Sequence, residues 1–236
     1  GFPEAQGLET RLRIQLLQGY VDTVILRDVV ERYQVSQVAA LRWIGRMCLR
    51  NPTALLSAHA LYRDLKSQGY AVSKGTVHAL LGYLMDAFLL TLVPLATESE
   101  RRRNANPRKV YPADPGLIRA FDASGRANVG HALETAVLNS LMAKGAEVGY
   151  VKTDEGFEVD FLARIPGEPD RLIQVCADPT SPGVLERELR ALNSAACAYP
   201  RAERILIVLT QDQVTRVSVE AVRVCSAPEW FLEDGS

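Results

Sequence analysis

Apolar residues recur near helical spacing from about Leu8 to Tyr33, at Leu12, Leu16, Leu17, Tyr20, Val24 and Ile25, and this predicts a helix. Arg27 and Asp28 interrupt its apolar face, as a surface or interhelix ion pair or as a contact with a neighbouring domain. A second helix is expected over "SQVAALRWIGRMCLRN", with Ser36 as N-cap and Ala39, Ala40, Trp43, Ile44, Met47 and Cys48 apolar, until Asn51 and Pro52 end it. The next, "SAHALYRDLKSQG", starts at Ser57 and stops at Gly69, a residue suited to the left-handed conformation past a helix end. "SKGTVHALLGYLMDAF" follows, with Ser73 as N-cap and Val77, Leu80, Leu81, Leu84 and Phe88 on one stripe. "LLTLVPLATE" and "RKVYPAD" then flank "SERRRNANP" as two strands flank a loop.

Three helices followed by a hairpin with a basic tip is the order of a winged helix-turn-helix. Beyond residue 127 the pattern changes. "NVGHALETAVLNSLMAKG" reads as a helix with Leu133, Val137 and Leu141 on one stripe, closed by Gly145. Strand-like runs follow at "EVGYVKT", "FEVDFLARI" and "RLIQVCA", then a helix "PGVLERELRALNSAACAY", then "RILIVLT" and a last strand in "VRVCSAPEWFL". A meander joined to a further strand through a crossover helix implies a mixed α/β sheet.

Within that sheet, Pro166, Gly167, Pro169 and Asp170 supply turn chemistry between two strands. Side chains alternate along a strand, so Glu158, Asp160 and Leu162 share one face, and Gln174 and Cys176 share one on the next strand. Two polar pairs on one sheet surface could make a metal-dependent centre or a satisfied buried network. Glu134, early in its helix, could likewise serve only the ordinary role of a carboxylate at the positive end of the helix dipole.

Composition narrows the partners. With 27 Lys and Arg against 28 Asp and Glu, net charge is −1, so attraction to nucleic acid must come from local clustering. Arg101, Arg102, Arg103, Arg108 and Lys109 form such a cluster, and Lys74, Thr76 and His78 at the start of the third helix could face a groove. The alternative for the cluster is a solvated loop edged by Glu98 and Glu100. Cys48, Cys176, Cys197 and Cys225 are widely spaced and the three histidines stand alone, which suggests neither a zinc site nor a disulfide framework and fits a reducing cytoplasm. The longest apolar region is broken by Asp86 and Pro94, so no membrane span is expected. No G-x-x-x-x-G-K-[ST] occurs, and the opening "GFPEAQG", without an initiator Met, reads as a piece of something longer.

The stretches "GFPEA", "ILRDVV", "GHALETAVLNSL", "EGFEVDFLA" and "LIQVCAD", in that order, resemble the C-terminal region (domain of unknown function 4143) of a bacterial and archaeal family of AAA-type ATPases. The resemblance implies an N-terminal ATPase domain outside this chain, then a helical linker over 1–34, a winged-helix-like domain over 35–126 and a PD-(D/E)XK nuclease-like domain over 127–236. It places the nuclease helix glutamate at Glu134, the "PD" aspartate at Asp160 and the "(D/E)XK" at Gln174, Val175 and Cys176. That chemistry needs carboxylate oxygens for Mg²⁺ and a lysine beside the attacking water. Here Glu134 and Asp160 remain as metal ligands, Gln174 is a neutral carbonyl, and Cys176 brings no fixed positive charge. Lys152, Arg187 or Arg190 could stand in for the lysine.

The expected fold class is therefore a helical winged helix-turn-helix domain followed by a PD-(D/E)XK-like mixed sheet flanked by helices. The expected function is the nucleic-acid- or partner-binding C-terminal region of an ATPase, with a degenerate nuclease-like site. The alternatives are a metal-dependent DNA endonuclease with a relocated lysine and an interaction or oligomerisation module. No cofactor is required on this reading, with Mg²⁺ bound only by an active site and ATP only by the missing domain. The expected partners are that ATPase domain, DNA and a second copy of the chain.

Overall fold

A computed structural model describes residues 2–122, 128–217 and 219–233. Its internal contacts divide the chain into two compact units, Gly1–Val93 with Asn106–Thr135, and Pro94–Ala105 with Ala136–Ser236. The domain boundary expected at residues 126 and 127 lies outside the described residues.

In the first unit, α1 (Thr10–Thr23) continues into a π-helical segment (Val24–Glu31), and Leu17, Val21, Ile25 and Val29 make its buried stripe. A π-helix this long is rare. It carries Arg27 and Asp28, which pair with each other at 2.8 Å on the surface. α2 (Val38–Arg50) begins after Gln37, so Ser36 lies one residue too early to cap it. Its buried stripe is Ala40, Leu41, Ile44, Cys48 and Leu49, whereas Trp43 and Met47 are only half-buried.

The next two helices follow the sequence reading closely. α3 (Ala58–Ser67) has the Ser57 hydroxyl accepting from the Ala60 N–H at 3.4 Å, and Gly69 beyond it has φ +85. α4 (Lys74–Asp86) has the Ser73 hydroxyl accepting from the Thr76 N–H at 3.0 Å. Val77, Leu80, Leu81 and Leu84 are buried, but Phe88 is 85% exposed. The helix ends at Asp86, and a left-handed turn with φ +52 at Phe88 carries that ring off the stripe.

β1 (Leu55–Leu56), β2 (Leu90–Val93) and β3 (Arg108–Pro112) form an antiparallel sheet in the order β1-β3-β2. The expected loop between β2 and β3 contains a short helix, α5 (Glu100–Ala105). A further helix, α6 (Pro115–Phe121), is opened by Asp114, whose carboxylate accepts from the Gly116 N–H, with Pro115 at the first helical position.

α7 (Val129–Ala143) belongs to the first unit through Thr135 and to the second from Ala136. The second unit holds a five-stranded sheet of β4 (Glu147–Lys152), β5 (Glu158–Arg164), β6 (Arg171–Cys176), β7 (Glu203–Val208) and β8 (Arg223–Ser226), in that spatial order. β4, β5 and β6 are antiparallel neighbours, while β6, β7 and β8 run parallel. α8 (Val184–Ala198) crosses over between β6 and β7, so the mixed sheet expected from the element order is present. The edge of β4 is covered by chain: the Ala96 N–H donates to the Tyr150 carbonyl at 2.8 Å, and the Tyr150 N–H to the Pro94 carbonyl at 2.9 Å. Gly149 permits that approach, since a Cβ there would lie 3.0 Å from the Ala96 Cα.

A short helix, α9 (Gln211–Arg216), precedes β8, and the last expected strand is divided. β8 stops at Ser226 and α10 (Ala227–Glu233) follows. Ser226 and Glu229 cap α10 reciprocally, each backbone N–H donating to the other's side chain at 3.3 Å. The fold is thus mixed α and β, and among the described residues no helix is long and apolar enough to cross a membrane.

Candidate functional site

Glu134 lies in the second turn of α7 and is 8% exposed. Lys109 and Tyr111 stand two residues apart on β3 and therefore project to the same side. Both donate to Glu134 Oε1, the Lys109 ammonium from 3.1 Å and the Tyr111 hydroxyl from 2.7 Å. Lys109 is itself only 4% exposed. Read from sequence among the phosphate-facing cations, Lys109 instead has its charge compensated by a carboxylate within the first unit.

In the second unit, β5, β6 and α8 bring four polar side chains together. Asp160, Gln174 and Glu188 are all buried. The Gln174 carbonyl accepts from the Asp160 backbone N–H at 3.2 Å, and an Asp160 carboxylate oxygen accepts from the Val175 N–H at 3.0 Å. The Gln174 amide nitrogen donates to Glu188 Oε2 at 2.6 Å. Glu188 Oε1 accepts from Arg187, whose Nε is 3.1 Å and Nη2 2.5 Å away. The orientation of the Gln174 amide follows from this network: its oxygen must meet an N–H and its nitrogen a carboxylate. Gln174 thus belongs to a buried hydrogen-bonded network, one that extends off the sheet to Glu188 on α8.

Glu188 was not singled out in the sequence, although a signal for it existed. Val184, Glu188, Ala191, Leu192 and Ala195 lie at helical spacing, so position 188 falls on the buried stripe of α8, where an unpaired carboxylate is costly. Arg187 is the one proposed substitute cation found in the network. Its guanidinium titrates above its ordinary value because it donates to Glu188 and is attracted by that charge. Arg190 instead sits over the Phe157 ring at 5.9 Å, and Lys152 is exposed on β4 across from the half-buried Glu158. Burial, with a smaller contribution from the Glu188 charge, pushes the Cys176 thiol up to about 11, so it is a neutral group at physiological pH.

Glu134 belongs to the first unit and Asp160 to the second. Among the described residues, no group of three or more His, Cys, Asp or Glu side chains is placed to hold a metal ion. Around Gln174 both oxygens of Glu188 already accept hydrogen bonds, so a cation entering there competes with Arg187 and the amide.

The cations singled out for nucleic acid divide between the units. Lys74 and His78 are exposed on α4, with the Lys74 ammonium 5.8 Å over the Tyr62 ring. The Thr76 hydroxyl shares a 2.8 Å hydrogen bond with Ser73. Arg101 and Arg102 are exposed on α5, in the second unit, whereas Arg103 donates to the Thr97 carbonyl and pairs with Glu147 at 3.5 Å. Arg108, in the first unit, is half-buried.

Residues 1–127 match the family model described as Domain of unknown function (DUF8612). The match covers more than half of the chain, and the chain belongs to that family. It is 30% identical over 200 residues to an uncharacterized protein of Methanocaldococcus jannaschii, covering 83% of this chain and 44% of that protein. It is 26% identical over 164 residues to an uncharacterized protein of Haemophilus influenzae, covering 70% of this chain and 41% of that one. The chain thus spans less than half the length of these relatives. No solved structure matches it.

Proposed function

We propose that this member of the DUF8612 family is the cytoplasmic nucleic-acid- or partner-binding arm of a larger AAA-type ATPase, and that its second unit is a PD-(D/E)XK-like domain whose site does not cleave. The observation that carries the reading is the closed chain from Asp160 through Gln174 and Glu188 to Arg187. An amide stands where a nuclease needs a carboxylate, and it is committed at both ends. At the position of the nuclease lysine, Cys176 holds a neutral thiol. Such a network preserves the geometry of a nuclease sheet while withholding the metal charge and the cation that phosphodiester cleavage draws on. Support for a winged helix in the first unit comes from the element order α2, β1, α3, α4, β2, β3 and the sheet order β1-β3-β2. Lys74, His78, Arg101, Arg102 and Arg108 are the side chains we assign to phosphates and base edges.

The second reading, an endonuclease with a relocated cation, is favoured by one observation: Glu188 and Arg187 supply on α8 a carboxylate and a positive charge that β6 lacks. One experiment separates the two. The purified chain is incubated with supercoiled plasmid and Mg²⁺ or Mn²⁺. We expect no nicking. Cleavage that Asp160→Ala abolishes, and that Arg187→Ala or Glu188→Gln also reduces, would establish the endonuclease instead. Binding is read separately: Arg101→Ala with Arg102→Ala weakens association with duplex DNA by a similar factor for every sequence, and Lys74→Ala changes sequence preference. Duplex affinity unmoved by these changes would leave protein partners as the role of this arm.

A further inference from the structure

We infer that a groove along α2 in the first unit binds single-stranded nucleic acid, separately from the α4 and α5 cations. Arg42, Arg46 and Arg50 recur every four residues, so they form one stripe along the helix with steps of about 6 Å. They line an open groove of ≈ 330 Å³ together with Trp43, Met47 and Tyr70. No Asp or Glu lines this groove, and none of the three arginines forms an ion pair or hydrogen bond among the described residues. The Nε of Arg42 is shielded from solvent and meets no acceptor there. Three guanidiniums without a countercharge among the described residues favour an anionic ligand in the groove.

Every polar side chain of the groove lining can donate, so its complement is a row of acceptors with repeated negative charge. A phosphate backbone has that character. Trp43 and Tyr70 rest by part of their surface on the core, which fixes two aromatic rings beside the cations. Cations tracking a backbone beside aromatic rings that stack bases are the combination by which single strands are held without sequence preference. Charge on the other flank limits the path: Arg46 and Arg50 also line an adjoining groove that contains Asp22 and Asp122, so the strand is expected on the Trp43 side.

The inference does not depend on the duplex reading above, because it uses different residues. The test is fluorescence anisotropy of labelled oligo(dT) with the whole chain at several salt concentrations, with circular dichroism confirming the fold of each variant. Changing Arg42, Arg46 and Arg50 together to Ala should lower the log K against log salt slope by about 2, at about 0.7 per lost phosphate contact, and weaken binding on the order of 100-fold at 0.1 M salt. Oligo(dT) should also quench Trp43 fluorescence, with buried Trp230 as an unresponsive background. Arg101→Ala with Arg102→Ala should weaken oligo(dT) binding far less than the triple change, even where it removes duplex binding. Equal affinity and slope for the parent and the triple variant would overturn the proposal. So would binding of a glutamate-rich helical peptide with none of oligo(dT), which would make the groove a protein-docking surface.

Discussion

Among the described residues two buried glutamates meet a cation, one in each unit, and they are satisfied in opposite ways. Glu134 in the first is held by Lys109 and Tyr111, and its cation is buried with it at 4% exposure. Glu188 in the second is held by an amide on the inside and by Arg187 on the outside, whose side chain is 68% exposed. The Glu134 pair is therefore insulated from ligands, and its energetics belong to folding. The Glu188 pair opens toward water on its Arg187 side. The two carboxylates that the resemblance joins in one metal site are both buried, Glu134 beside a buried ammonium and Asp160 beside a backbone N–H.

The sharpest way to break this contrast is to remove the buried cation. Lys109→Ala strips a buried countercharge from Glu134 while Tyr111 still donates to it, and we expect a loss of about 3–5 kcal/mol in urea unfolding. Lys109→Met, which restores volume without charge, should still lose most of that. A loss under about 1 kcal/mol would mean that water reaches Glu134 and that the two glutamates do not differ in kind.

Next in size is the amide. Gln174→Ala strips a donor from Glu188 and an acceptor from the Asp160 N–H, for an expected cost of about 2–4 kcal/mol with the cavity included. Gln174→Glu places a second carboxylate on Glu188 across what is a 2.6 Å hydrogen bond. It should be at least as damaging at neutral pH, with part of the loss recovered by millimolar Mg²⁺ in thermal melts. Mg²⁺ recovery with Gln174→Glu but not with the parent would show that the missing charge is what the site lacks.

The alkaline limb reports on the same pocket. The folded state keeps the Cys176 thiol protonated up to about 11, against an ordinary value of 9.0. The unfolded chain releases that proton first, so this contribution to stability is whole below pH 9 and is lost as pH rises toward 11. Cys48, pushed up to about 12 by burial, adds a loss of the same sign over a wider range. Cys176→Ala should flatten the fall between pH 9 and 11 in denaturant titrations. Thiol labelling at pH 8 should modify exposed Cys197 quickly and Cys48, Cys176 and Cys225 only on unfolding.

What the sequence could show was local. Ser57 and Ser73 cap α3 and α4 as expected, because an N-cap is a contact between residues three apart. The mixed sheet with α8 as its crossover was also legible, since crossover rules follow from element order. Phe88 was misplaced because the periodicity of α4 continues past its physical end. α6 and α10 were missed although Asp114-Pro115 and Ser226-x-x-Glu229 are capping signals, because apolar residues beside them suggested strand. The pairing of Lys109 with Glu134 and of Gln174 with Glu188 spans long sequence separations, and no periodicity encodes which buried charge will find which partner. Lys109 could thus be read as a surface cation, and Glu188 was not singled out.

The smallest expected effect is the most direct test of the contrast. Arg187→Ala removes an arginine–carboxylate contact shorter than that of Lys109, 2.5 Å against 3.1 Å, so by distance alone it should matter more. By solvent exposure it should matter less, because water can replace the guanidinium at Glu188 Oε1 while Gln174 keeps Oε2 satisfied. Exposed pairs of this kind contribute about 1 kcal/mol or less. A small loss for Arg187→Ala beside a large one for Lys109→Ala would show that burial ranks these two cations. The variant should also couple to Gln174→Ala, since both act on one carboxylate: the double variant should lose more than the sum of the two single losses, because Glu188 is then without either donor. Strict additivity would mean that Gln174 and Arg187 do not communicate through Glu188.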